Sequence, residues 1–331
     1  MSALFSKLRR TFILGGTALL VSLPHLPPAA AAEEKATGPV QILVAYAPGG
    51  GTDTLARILA VPLATVLNRP VTVQNLPGGG GQVAATTLLR DGADGSAILA
   101  TNEPDLIMST VFNKAPYKAA DFQAIMVDVR DPRVMLVQKS SELNSFSDFV
   151  SRAKAEPGKL AVAVAQGSAQ ELLAKWLFGK LGLQIRVVGY PGGGNAANAL
   201  LAGDVVAAIG DDFARLNVRD KTKALFVGAA DKSPRWPEAA TLAEALAPHG
   251  VTLPAKDFLA RYGVYVVSTA FKAKHPEAYA ALQKALLEAR ETPEFKSYIA
   301  KNAIEDLSVG RPGEALQADF EKSFAEIAKL K

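Results

Sequence analysis

Runs of β-branched and aliphatic residues alternate through this chain with longer stretches in which apolar residues recur every three or four positions. The runs at 40–46, 71–74, 97–100, 134–137, 160–165, 185–189 and 262–267 read as strands. A periodic stretch through Leu55, Ile58, Leu59, Leu63 and Leu67 reads as a helix capped by Thr52 or Asp53, and others follow through Leu88 and Leu89 and through Leu172, Trp176 and Leu177. Residues 146–155 form a further helix closed by Pro157-Gly158, and the alanine-rich, charged segments 276–290, 293–302 and 312–329 are helices as well. Strands alternating with helices predict an α/β fold with mainly parallel sheets. The terminal helical set is expected to return to an earlier sheet. Domain 1 is then discontinuous, residues 33–133 plus 255–331, and domain 2 is residues 134–254.

The turns carry the most information. Val44-Ala45-Tyr46-Ala47-Pro48-Gly49-Gly50-Gly51 is echoed by Val187-Val188-Gly189-Tyr190-Pro191-Gly192-Gly193-Gly194, and a polar residue and an alanine/leucine helix follow each copy. In open α/β sheets ligands sit beyond the carboxyl ends of strands, where these turns fall. Glycine lets backbone approach a ligand, and the helix that follows offers unpaired N–H groups and a positive dipole end. Two such turns facing one cleft would clamp an anion from both sides. A Pro-Gly-Gly-Gly turn is also a plain flexible connector, and only the matched pair argues for a site. Charge-assisted hydrogen bonds contribute roughly 1.5–3 kcal/mol each, so about four of them, less the cost of association, support binding near micromolar.

Charge first points elsewhere. The 331 residues carry 36 Lys+Arg against 32 Asp+Glu, a net +4, which hints at a polyanion partner. But Lys7, Arg9 and Arg10 precede a short apolar run at 11–23, a proline-rich stretch and the alanine tract 29–32. That is the layout of a cleaved secretory signal peptide over residues 1–32, too short in its apolar part to span a bilayer. Arg9-Arg10-Thr11-Phe12-Ile13-Leu14 also resembles a twin-arginine signal, so either export route is open. Removing the leader takes the formal charge to about +1. No basic cluster interleaved with aromatics remains, and no nucleic-acid partner is expected. With no Cys, disulfides, thiol catalysis and Cys-based zinc sites are excluded.

An enzyme needs a constellation that the chain does not supply. His249 and His275 stand alone, Ser168 lacks the second glycine of a nucleophile elbow, and Asp211-Asp212 reads as a solvated loop rather than a carboxylate pair. Metal and nucleotide-triphosphate motifs are missing, and no cofactor is expected. The rival motif is dinucleotide binding, which would make the chain an NAD-dependent dehydrogenase. Gly79-Gly80-Gly81-Gln82-Val83-Ala84 and Gly192-Gly193-Gly194-Asn195-Ala196-Ala197 both fit GxGxxA, and Glu103 lies about 20 residues past the first.

The run from Ile42 through Tyr46-Ala47-Pro48-Gly49-Gly50-Gly51-Thr52-Asp53 to Arg57, then Arg69-Pro70-Val71 to Pro77-Gly78-Gly79-Gly80, resembles the substrate-binding proteins of tripartite tricarboxylate transporters, the Bug family. Ala93-Asp94-Gly95, Gly189-Tyr190-Pro191-Gly192-Gly193, Leu200-Leu201-Ala202-Gly203-Asp204-Val205 and Pro237-Glu238-Ala239-Ala240-Thr241-Leu242 extend the resemblance over nearly all of the exported chain. It implies a type II periplasmic binding protein fold, two α/β domains that close on a small carboxylate, a monomer in the periplasm without stable membrane insertion, and delivery to transporter membrane subunits. A carboxylate sensor of the same fold is the alternative. The resemblance maps ligand contacts onto Pro48, Gly49, Gly50, Gly51, Thr52 and Asp53 in the first loop and Tyr190, Pro191, Gly192, Gly193, Gly194 and Asn195 in the second. It assigns the distal end of the ligand to Thr101, Asn102, Gln166, Gly167 and Ser168, with Asp211 as a further cleft residue. The chain departs from the family at Val206, Pro191 and Gln170, so ligand identity does not carry over.

Overall fold

The structure is a computed structural model that describes residues 38–112, 114–254, 258–314 and 316. The expected leader over residues 1–32, and most of the helix expected over 312–329, lie outside the described residues.

The first part of the chain runs β1 (Val40–Val44), α1 (Gly51–Leu67), β2 (Val71–Asn75), α2 (Gln82–Asp91), β3 (Ala97–Glu103), α3 (Asp105–Phe112) and β4 (Phe122–Asp131). Pro132 alone separates β4 from β5 (Arg133–Gln138). Then come α4 (Phe146–Ala155), β6 (Ala161–Ala165), α5 (Ala169–Lys180), β7 (Arg186–Tyr190), α6 (Gly193–Ala202), β8 (Ala207–Asp211), β9 (Thr222–Val227), β10 (Ala240–Thr241) and α7 (Leu242–Leu246). The last described elements are β11 (Arg261–Ser268), α8 (Thr269–Lys274), α9 (Pro276–Arg290), α10 (Pro293–Lys301) and β12 (Ser308–Pro312).

These strands make two six-stranded sheets, in the orders β12-β4-β11-β3-β1-β2 and β10-β9-β5-β8-β6-β7. Each sheet has a parallel βαβ part, β3-β1-β2 and β8-β6-β7. Elsewhere β11 runs antiparallel to β3 and β4, β12 to β4, and β5 to β8 and β9. The sheets are therefore mixed rather than mainly parallel. The antiparallel pairs involve the strands on which the chain leaves one sheet for the other, which need no crossover helix.

Burial follows position in the sheet. Inner strands β3, β6 and β8 are buried along their whole length, whereas edge strands β2 and β7 are only half-buried. A sheet covered on both faces asks for continuous apolar runs, and two hydrophobic clusters flank each sheet here. The first sheet's layers hold Ile42, Leu59, Ile98 and Leu286 on one face and Leu43, Leu88, Leu99 and Val266 on the other.

One buried acid in the first sheet has a measurable consequence. Glu103, at the end of β3, is 3 % exposed, and neither carboxylate oxygen has a hydrogen-bond partner among the described residues. Burial, with Asp105 nearby, pushes its pKa well above the usual 4.5. The folded protein therefore holds this proton longer than the unfolded chain does. The associated stability is complete below the unfolded value and is lost as pH rises through the folded one. Glu103→Gln should remove that slope: its melting temperature should match the wild type near pH 4 and exceed it by about 3 °C or more at pH 8. A thermal melt series across that range checks it.

Candidate functional site

The carboxyl ends of β1, β3, β6, β7 and β8 converge on one cleft between the sheets, which has two chambers. The inner chamber, about 80 Å³, is lined from the first sheet's side by Tyr46 to Pro48, Gly50 to Thr52, Asn102, Asp105 and Arg261. From the second sheet's side come Ala165, Ser168, Gln170, Gly192 to Asn195, Asp211, Ala214 and Arg215. The outer chamber, about 490 Å³, is lined by residues 45–47, 77–82 and 165–168, with Asp105, Pro191 and Gly192. Tyr46, Ala47, Asp105, Ala165, Ser168 and Gly192 border both, so the chambers adjoin.

The two glycine loops behave alike. Helix α1 begins at Gly51, with Gly50 as its N-cap and no capping side chain. Helix α6 begins at Gly193, with Gly192 as its N-cap, again without one. Thr52 and Asp53 thus lie inside the first turn rather than capping it. By contrast α4, α5, α7, α8 and α10 each have a Ser or Thr oxygen accepting a first-turn N–H. First-turn amides have no partner within their own helix. Both uncapped helix starts line the inner chamber, so their amides and positive dipole ends converge there. Gly192, at φ +102°, holds a conformation that side chains rarely adopt, and it brings the second loop to Ala47 of the first.

Around these loops the other expected residues divide into lining and scaffold. Pro48, Gly50, Gly51, Thr52, Asn102, Ser168, Gly192, Gly193, Gly194, Asn195 and Asp211 line the inner chamber, and Gln166, Gly167 and Pro191 line the outer one. Gly49, Asp53, Thr101 and Tyr190 line neither. Gly49 N–H and Asn75 Nδ2 donate to Asp53 at 2.9 Å each, and Arg57 pairs with it at 3.0 Å. Burial alone would raise the Asp53 carboxyl, but these three partners outweigh it and hold it below the usual range. Asp53 therefore pins the loop. Tyr190 acts through its carbonyl, which accepts from Gln166 and Gly192 N–H. Ser168 caps α5, its hydroxyl accepting from Gln170 N–H and donating to the Ala165 carbonyl.

Beneath the loops lies a charged floor rather than the nearly neutral pocket that the glycines suggest. Arg261 donates to Asp131 at 2.6 Å, to Thr52 Oγ1 at 3.1 Å and to Asn102 Oδ1 at 3.2 Å, and its Nε lies 3.6 Å from Asp211. Arg133 pairs with Asp211, and Gln170 donates to it at 3.1 Å. Asp211 and Asp212 are buried, not a solvated loop, and they point apart: Asp212 accepts from Ser233, Arg235 and Trp236. Burial raises the Asp131 carboxyl to about 6 against the pull of Arg261. Asp211, equally buried, is nonetheless held below the usual range by Arg133, Arg261 and Arg215. Asp105, from the first sheet's side, accepts from Ala169 N–H at the start of α5 at 2.7 Å and from the Tyr46 hydroxyl at 3.0 Å.

Tyr46, Asp105, Gln170, Arg215 and Arg261 were not among the expected site residues. Arg261 meets Thr52 across 209 positions, a separation that no local pattern reports. Tyr46 sits inside the first echoed motif and was the one within reach. Glu103, which dinucleotide binding needs at the rim to meet a ribose hydroxyl, is buried instead. No helix among the described residues is long and apolar enough to cross a membrane, and no cluster of His, Cys, Asp and Glu among them is suited to a metal.

Known proteins share this architecture. Protein BugT of Bordetella pertussis is 33% identical over 222 residues, 65% of this chain and 68% of its own. The solved structure of the periplasmic binding protein BugD matches with a TM-score of 0.78 at 23% identity, covering 88% of this chain and 96% of that one. R. palustris Rpa4515, solved with adipate, matches with a TM-score of 0.78 at 24% identity, covering 89% and 96%. The likeness of these structures establishes the periplasmic binding protein fold. Residues 55–313 match the model of the tripartite tricarboxylate transporter family receptor, and the chain belongs to that family.

Proposed function

We propose that this receptor captures a small carboxylate in the inner chamber, in the periplasm, and delivers it to the membrane subunits of a tripartite tricarboxylate-type transporter. The family is one of receptors rather than enzymes. The observation that carries the reading is the pair of uncapped helix starts, α1 and α6, that line one chamber from two sheets. A carboxylate there accepts N–H groups from both loops at once, so binding holds the two lobes together. The residues that bind it are then Pro48, Gly50 to Thr52 and Gly192 to Asn195, with Asn102, Ser168 and Asp211 around them. Gln166 and Gly167 read whatever extends into the outer chamber. The lobes divide at Pro132, and the crossing from β4 to β5 there forms the hinge. Adipate in the R. palustris relative has the chemistry that this chamber fits.

A thermal-shift panel tests the reading. Purified protein without its leader should melt about 5–10 °C higher with one or more of malate, adipate, citrate and benzoate at saturating concentration. A shift with sugars and none with any carboxylate, amino acids included, would refute it.

A further inference from the structure

The amides of α1 and α6 are not the only positive groups in the inner chamber. Arg215 lines it at 3 % exposure. Its Nη1 donates to the Gly193 carbonyl at 2.7 Å, which anchors the guanidinium directly beneath the second loop. Its Nε has no hydrogen-bond partner, and among the described residues no carboxylate lies within ion-pair distance of it. Gly210 leaves the room for this arrangement, since a Cβ there would stand 2.7 Å from the Arg215 side chain. The fold thus encloses a cation that has no carboxylate in direct contact.

The neighbouring acids are already engaged. Asp131 is held by Arg261, Asp211 by Arg133 and Arg261, and Asp212 by Arg235. Asp105, the remaining acid that lines the chamber, has its oxygens on Ala169 N–H, the Tyr46 hydroxyl and the Asn102 amide. Of the three buried arginines here, Arg133 and Arg261 sit in ion pairs and Arg215 does not, so it acts on Asp211 only at longer range. A buried charge without a direct ion pair is costly, and two positive helix ends pointing into the same small space add to the cost. One incoming anion relieves all three. Nη2 of Arg215 lies 3.3 Å, and Nε2 of Gln170 3.7 Å, from where a Gly193 Cβ would stand, so both border the space that the missing side chain leaves open.

We infer that Arg215 is the charge-reading residue of the cleft: it discriminates an ionised carboxylate from an uncharged isostere of the same shape by neutralising it from beneath the second loop. This rests on the carboxylate reading above. It differs in assigning charge recognition to a side chain rather than to backbone amides alone. Arg215 is a specificity residue, and its anchoring bond to Gly193 is the competing, purely structural account.

Titration calorimetry with the tightest binder among malate, adipate and benzoate separates the two. Arg215→Gln should weaken that ligand by about 10- to 100-fold, and Arg215→Lys, which keeps the charge, should recover at least half of the loss on a logarithmic scale. The ligand-free melting temperature of Arg215→Gln should equal or exceed that of the wild type, because the variant removes a buried cation that has no direct ion pair. Affinity of Arg215→Gln within threefold of wild type, equal losses for Gln and Lys, or a lowered ligand-free melting temperature would each overturn the inference and leave the carboxylate reading standing. If the wild type binds none of the three probes, the carboxylate reading fails and takes this inference with it.

Discussion

Gly193→Val is expected to lower carboxylate affinity by at least about 100-fold while the protein still folds. The side chain would enter the inner chamber at the first turn of α6, where a Cβ already stands 3.3 Å from Arg215 and 3.7 Å from Gln170. Valine adds two methyls beyond that point. They occupy the ligand's space and push the guanidinium away from the Gly193 carbonyl. The backbone has no comparable objection, because Gly193 does not hold a positive φ and is already helical. The cost to folding is a β-branched residue in the first turn, a fraction of a kcal/mol. Gly50→Val is the milder counterpart, since a Cβ at Gly50 meets only the Ala47 carbonyl, at 3.6 Å. Calorimetry for affinity and circular dichroism for fold check both variants. Unchanged binding by Gly193→Val would remove the second loop from the site.

Arg261→Leu is expected to have the largest effect on stability. The guanidinium is 1 % exposed and joins β11 to Asp131 at the end of β4, to Asp211 at the end of β8, and to Thr52 and Asn102 beside the first loop. Leucine restores part of the volume but leaves Asp131 without its ion pair. Removing one partner of a buried pair costs about 3–5 kcal/mol, against a total stability of about 5–15 kcal/mol. The melting temperature should fall by about 6–15 °C. Binding should weaken as well, since the chamber loses one of its lining cations. Adding Asp131→Asn should recover part of the stability, because it removes the charge that was stranded, and a double-mutant cycle measures that coupling. Additive losses in the cycle would mean that the pair is not the origin of the effect.

How much of this was legible follows from what each element is made of. Helices α4 and α9 were read to the residue, because each starts with a plain signal, Ser145 before an apolar face in one and Pro276 in the other. Strands β1, β3, β5, β6 and β11 declared themselves as apolar runs. Strand β8, Ala-Ala-Ile-Gly-Asp, did not, since alanine and glycine carry little strand preference and only its place between β5 and β6 makes it one. Long β4 was hidden by its own charges, Asp128, Arg130 and Asp131. They are tolerated because Arg290 meets Asp128 and Arg261 meets Asp131 from distant segments.

The site divides in the same way. Its loops are local objects, so the repeated Pro-Gly-Gly-Gly pointed at them directly, and both lie in the cleft. The helix starts came out two or three residues earlier than the polar residues implied, because glycine takes the cap position and leaves the amides free. The floor was invisible. Arg133, Arg215 and Arg261 are ordinary arginines in sequence, and their meaning comes only from burial and from partners up to 209 positions away. Net charge was equally uninformative, since a chain of small net charge can still concentrate positive potential at one enclosed point.

The central claim is that a ligand carboxylate sits between the first turns of α1 and α6. A crystal structure of residues 33–331, grown with the tightest carboxylate from the thermal panel, tests it most directly. The account predicts carboxylate oxygens within about 3.2 Å of backbone nitrogens from both loops, among Gly50 to Thr52 and Gly193 to Asn195, with Arg215 beside them. A ligand seated only in the outer chamber, against residues 77–82, with the amides of α1 and α6 untouched, would contradict it.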